Sequence, residues 1–112
     1  KSISVERTYE SNLQTLEACT AALDDILREL EEDWERREGR RPFRGIWVKL
    51  KFANFQTTTC SSAGKQIERE SFQALLETAF GRSPHAVRLI GAGLRFPAIS
   101  DENPAQLQLF SN

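Results

Sequence analysis

Few residues in this chain could do chemistry, and spacing sets most of them aside. His85 is the only histidine; it sits beside Pro84 with no cysteine or carboxylate near it in sequence, and reads as a surface side chain. Asp24 and Asp25 are consecutive on a helical stretch, so they point roughly 100° apart and form neither a metal-binding nor an acid–base pair. Cys19 and Cys60 lack metal-ligand spacing. They read as buried or half-buried thiols of a reducing cytoplasm rather than as a disulfide. Gly91-Ala92-Gly93 falls inside a strand pattern, not in a loop that could cradle phosphate. No active site is legible.

What remains is a set of cations and hydroxyls at strand spacing. Residues 44–60 read as a β-hairpin with a two-residue turn at Ala53-Asn54. Alternation puts Ile46, Val48, Leu50 and Phe52 on one face and Trp47, Lys49 and Lys51 on the other. The two-residue turn sets Lys51 opposite Gln56, Lys49 opposite Thr58 and Trp47 opposite Cys60. One face is then core and the other cationic and hydroxylated, which suits an anionic partner. Lysine and arginine neutralise phosphates, and serine and threonine hydroxyls bond phosphate oxygens. Gly91 and Gly93 could let a phosphate approach the backbone, or could mark a kink in the strand.

The remaining elements must hold that surface. Residues 1–8 alternate as a first strand, with Ile3 and Val5 inward and Ser2, Ser4 and Glu6 outward. Arg7 has the wrong parity and is expected at the strand's end. Ser11 and Gln14 fit a capping box, which predicts a helix from about Asn12 to Arg37 with Leu16, Leu23, Ile26, Leu27, Leu30 and Trp34 on one stripe. Gly39 ends it. After the hairpin, residues 61–67 look irregular, with Gly64 as a breaker. A second helix is expected from about Arg69 to Phe80, stopped by Gly81. A last strand spans 86–96 with Ile90, Ala92, Leu94 and Phe96 on one face and Gly91, Gly93 and Arg95 on the other. Val87 breaks that parity, so a bulge or the start of the strand is expected near Arg88–Leu89. The fold class that follows is α+β, β-α-β-β-α-β: a four-stranded antiparallel sheet with two helices on one face and the other face open.

At 112 residues, 39% hydrophobic and 28% charged, the chain is one ordinary folded domain rather than a disordered segment. No apolar run approaches the roughly 20 residues of a membrane helix, and no signal-peptide pattern is present. Lysine comes first and enters a strand at once, which fits a domain excised from a longer protein or a processed terminus; the domain is expected to be monomeric. The net charge of −1 conceals a division. Residues 10–38 carry a net −7 and residues 40–96 a net +7. Charge separated in this way steers an anion to one side and repels it from the other.

Residues 98–112 read as a polar tail beyond a domain of residues 1–97. Gln106-Leu107-Gln108-Leu109-Phe110 places three large apolar side chains in it without periodicity, the mark of a short docking motif. Leu109 and Phe110 would enter an apolar pocket and Gln106 would bond at its rim; the alternative is packing back on the domain.

Together these segments resemble the little finger domain of the Y-family DNA polymerases, above all the bacterial members. The match is carried by Lys1-Ser2-Ile3-Ser4-Val5-Glu6-Arg7-Thr8, by Val48-Lys49-Leu50-Lys51-Phe52 with Phe55-Gln56-Thr57-Thr58, by Val87-Arg88-Leu89-Ile90-Gly91, and by the terminal pentapeptide. The resemblance implies a non-catalytic domain of an error-prone translesion polymerase, lying against the major-groove side of the primer–template duplex. By position it implicates Lys1, Ser2, Ser4, Lys49, Lys51, Thr58, Arg88 and Arg95 in phosphate contact. Gly93 stands where relatives carry a longer polar side chain. The pentapeptide implies docking of Gln106, Leu107, Leu109 and Phe110 on the bacterial sliding clamp, the DNA polymerase III beta subunit. No cofactor is expected in this piece; magnesium would belong to the parent polymerase. Two other readings share the element order: an RRM-like single-stranded RNA-binding module, for which only Trp47 offers a stacking aromatic, and a ferredoxin-like protein-interaction domain.

Overall fold

The computed structural model describes residues 2–97. Its elements are β1 (Ser2–Leu13), α1 (Leu16–Glu38), β2 (Gly45–Phe52), β3 (Thr57–Ala63), α2 (Arg69–Phe80) and β4 (Val87–Arg95). The four strands form one antiparallel sheet in the order β1-β4-β2-β3. The last strand therefore lies between the first two. Both helices pack on the same side. Cys19, Leu23, Ile26, Leu27 and Leu30 of α1 and Phe72, Leu76 and Ala79 of α2 share a core with Val5, Ile46, Val48, Leu50, Phe52, Ile90, Ala92 and Leu94 of the sheet. Fully burying each large aliphatic contributes about 1.5–3 kcal/mol. The expected α+β architecture is the one observed.

Three boundaries differ from the sequence reading, each for a local reason. First, β1 continues to Leu13, with a register shift between Thr8 and Leu13. Arg7 does not end it, because on the helix side its guanidinium finds Glu29 of α1. Second, α1 begins at Leu16, not Asn12. Its cap is Thr15, whose Oγ1 accepts from the Ala18 N–H at 3.1 Å, in place of the expected Ser11–Gln14 box. Third, β3 runs on to Ala63, where residues 61–67 were expected to be irregular. At the other end of α1, Gly39 takes φ 59 and donates to the Trp34 carbonyl, as a left-handed C-cap does. Of the bulge or strand start expected near Arg88, the structure has the bulge: Lys51 pairs with Leu89 but Phe52 with Val87, so Arg88 is the extra residue.

Candidate nucleic-acid interface

The register arranges the open face in four rows that run across the sheet. Ser2, Arg95 and Gly45 form the first, and Ser4, Gly93, Trp47 and Ser61 the second. Glu6, Gly91, Lys49 and Thr59 form the third, and Thr8, Leu89, Lys51 and Thr57 the fourth. The face thus brings together Ser2, Ser4, Lys49, Lys51 and Arg95, as expected from sequence. Lys1 and the tail residues Gln106, Leu107, Leu109 and Phe110 lie outside the described residues.

Thr58 is not on this face. The hairpin loop has three residues, Ala53 to Phe55: the Phe52 N–H donates to the Gln56 carbonyl at 2.8 Å and the Phe55 N–H to the Phe52 carbonyl at 2.8 Å. Phe55 takes φ 70, the left-handed residue that closes a three-residue loop. The extra residue shifts β3 by one, and a one-residue shift exchanges its faces. Thr58 sits opposite the buried Leu50, on the helix side, and its Oγ1 accepts from the Arg82 guanidinium at 2.7 Å. Thr57, Thr59 and Ser61 take the outward places instead. Cys60 held the signal that sequence reading missed: an apolar thiol belongs opposite Val48 in the core, where it is found.

Gly91 and Gly93 do not expose backbone to a ligand. A Cβ on Gly93 would lie 2.3 Å from the Trp47 indole, and one on Gly91 would lie 2.8 Å from Cγ of Glu6. Each glycine instead lets a neighbour's side chain cross its strand. Trp47 lies over Gly93. Glu6 passes over Gly91 to reach Lys49, whose Nζ donates to Glu6 Oε2 at 3.2 Å. Glu6 is the one carboxylate in the four rows.

The hairpin tip adds a feature that sequence did not reveal. Phe55 is 63% exposed, and no other large apolar residue among the described residues is exposed. The Arg88 guanidinium lies 4.9 Å from its ring centroid and the Lys51 ammonium 5.9 Å. Each such contact is worth about 0.5–1 kcal/mol at an exposed site. A left-handed backbone at a residue with a Cβ costs about 1–2 kcal/mol.

The charge division is less complete in space than in sequence. Arg69 bonds Asp24 at 2.7 Å, Arg40 pairs with Glu35, and Arg82 is held by β3, so these cations do not serve the open face. Glu29 and Asp24 hold the Arg7 and Arg69 guanidiniums above their ordinary pKa through direct hydrogen bonds. Burial pushes the Cys19 thiol up to about 11, which keeps it protonated and unreactive at neutral pH. Cys19 and Cys60 are both free thiols. Among the described residues no cluster of three or more His, Cys, Asp or Glu could hold a metal ion, and no helix is long and apolar enough to cross a membrane.

Residues 1–109 match the family model described as the impB/mucB/samB family C-terminal domain. The chain belongs to that family. It is 40% identical over 111 residues to DNA polymerase IV of Pseudomonas syringae pv. tomato and 36% identical over 109 residues to DNA polymerase IV of Legionella pneumophila. These alignments cover 99% and 97% of this chain and 31% of each relative, so the chain spans about a third of the curated proteins it matches. Among solved structures, the complex of the beta-clamp processivity factor with the little finger domain of PolIV superposes with a TM-score of 0.81 at 24% identity, covering 88% of this chain and 90% of that one. The insertion ternary complex of Dbh DNA polymerase gives 0.74 at 16% identity, covering 88% and 29%. Both likenesses establish the little-finger fold for a member of this C-terminal family.

Proposed function

We propose that this domain holds duplex DNA for a translesion polymerase of the DNA polymerase IV kind and has no active site of its own. Residues 1–97 form the DNA-holding part. Lys49, Lys51, Arg88 and Arg95 neutralise phosphates of the primer–template, the hydroxyls of Ser2, Ser4, Thr57 and Thr59 bond phosphate oxygens, and Lys1 adds a further cation. Contacts of this class hold a duplex in register without reading its bases, which suits a polymerase that must accept damaged templates. Residues 98–112 form a tail in which Gln106, Leu107, Leu109 and Phe110 dock on the bacterial sliding clamp. The palm with its magnesium-binding carboxylates belongs to the remaining two thirds of the parent protein, acting in the bacterial cytoplasm.

One observation carries the reading: the four rows present cations and hydroxyls on a sheet face that neither helix covers. The relatives' identity as DNA polymerase IV and the clamp complex of a little finger domain support its two halves.

The test is a fluorescence-anisotropy titration of the full chain with a short labelled duplex. Log affinity should fall with log salt by about 0.9 per phosphate neutralised. Lys49→Ala with Lys51→Ala should weaken binding at least about tenfold and flatten that slope by about 2. Wild-type affinity in that variant sinks the assignment of the face. In the same series, tighter binding of single-stranded RNA would restore the RRM-like reading. Removal of residues 106–110 should abolish capture by the purified bacterial clamp while duplex affinity stays unchanged.

A further inference from the structure

The hairpin tip puts a large aromatic side chain where neither the backbone nor the core requires one. Phe55 occupies the left-handed position of a three-residue loop, which glycine or asparagine would fill at lower cost. Its ring is outside the core, and yet two cations from different strands converge on it. Lys51 reaches it from the last position of the open face before the loop, at 5.9 Å. Arg88 reaches it from β4 at 4.9 Å. Simple alternation would put Arg88 with Ile90 on the helix side; the bulge between Val87 and Leu89 frees it to lie on the ring instead.

Gathering two positive charges around one ring is electrostatically unfavourable unless an anion sits between or beside them. A ring that holds a planar guanidinium also removes part of the entropy that a free arginine loses on meeting a phosphate. We infer that Phe55 is a positioning residue: it holds Arg88 and Lys51 as a preformed pair that grips a phosphate of the duplex at the hairpin end of the open face. This rests on the DNA-holding reading above and names a device within it.

Three substitutions separate this role from a structural one, read by duplex anisotropy and thermal unfolding of the full chain. Phe55→Leu keeps an apolar side chain but removes the π face; it should weaken duplex binding about three- to tenfold and lower the salt slope by about 0.9, the share of one phosphate. Phe55→Tyr should bind within twofold of wild type. Phe55→Gly should weaken binding as much as Phe55→Leu does with little change in melting temperature, because relief of the left-handed backbone offsets the lost ring contacts. A double-mutant cycle of Phe55→Leu with Arg88→Ala should be strongly non-additive, the double variant losing clearly less than the sum of the two single losses. Wild-type affinity in Phe55→Leu, while Lys49→Ala with Lys51→Ala is impaired, overturns the inference and leaves the face intact. A large fall in melting temperature in Phe55→Gly, beyond what two ring contacts supply, or additive losses in the cycle, assigns Phe55 a purely structural part and also overturns it. If the two lysines prove dispensable, the failure lies with the DNA-holding reading itself.

Discussion

Glu6 has an unusual position: a carboxylate in the middle of the surface proposed to hold phosphates. It reaches Lys49 only because Gly91 leaves the space over β4 empty. The pair is about one-third exposed on each side, so its own contribution to stability is small, about 0–1 kcal/mol. Its effect on binding should be larger than its effect on folding. A phosphate approaching Lys49 must displace Glu6 or accept its repulsion, so the pair lowers affinity for DNA. Glu6→Gln keeps the shape of the side chain and removes the charge. It should tighten duplex binding about three- to tenfold near 50 mM salt, with a gain that shrinks as salt screens the charges. Thermal stability should change little. Unchanged affinity at low salt would mean that Lys49 lies off the path of the phosphates. Gly91 and Gly93 also show what a sequence leaves undecided, since the same two residues fit an exposed backbone or a covered one. Only the register, which sets Trp47 and Glu6 beside them, chooses the second.

At the scale of elements, the helices were legible and one turn was not. The apolar stripe of α1 repeats at helical spacing and Gly39 stops it, so periodicity and punctuation agree. The hairpin loop Ala53-Asn54-Phe55 has no glycine to mark its left-handed position, and loop length decides which face of β3 is outward. Strand order was also hidden, because the insertion of β4 between β1 and β2 is made by pairings across most of the chain. Two threonines test the register directly. Thr58→Val removes the hydroxyl that accepts from Arg82; stability should fall by about 1 kcal/mol and duplex affinity should stay within twofold. Thr59→Val keeps a β-branched residue suited to the strand and removes an outward hydroxyl; stability should hold and duplex affinity should fall. The reverse pattern would restore the two-residue turn. Comparison of urea midpoints and anisotropy titrations for the two variants reads both effects.

Across the whole domain, charge and layers follow the same division. The helices that cover one face of the sheet carry most of the acids, and the uncovered face carries Lys49, Lys51 and Arg95, with Arg88 at its tip. Glu31 and Glu32 are exposed on α1, a layer behind the sheet that meets DNA in the proposed complex. Sheet and helix layers pack on the order of 10 Å apart, so a helix acid acts on the duplex only over a distance comparable with the screening length of about 8 Å at 0.15 M salt. Its influence should be orientational rather than energetic. Glu31→Gln with Glu32→Gln should therefore leave duplex affinity at 0.15 M salt within twofold of wild type. Near 0.01 M, where the screening length grows to about 30 Å, the variant should associate with the duplex faster, with dissociation little changed. Stopped-flow association over that salt range measures the difference. A variant that bound several times more tightly at 0.15 M would place these acids close to the DNA, and the duplex would then lie along the helices instead of on the sheet.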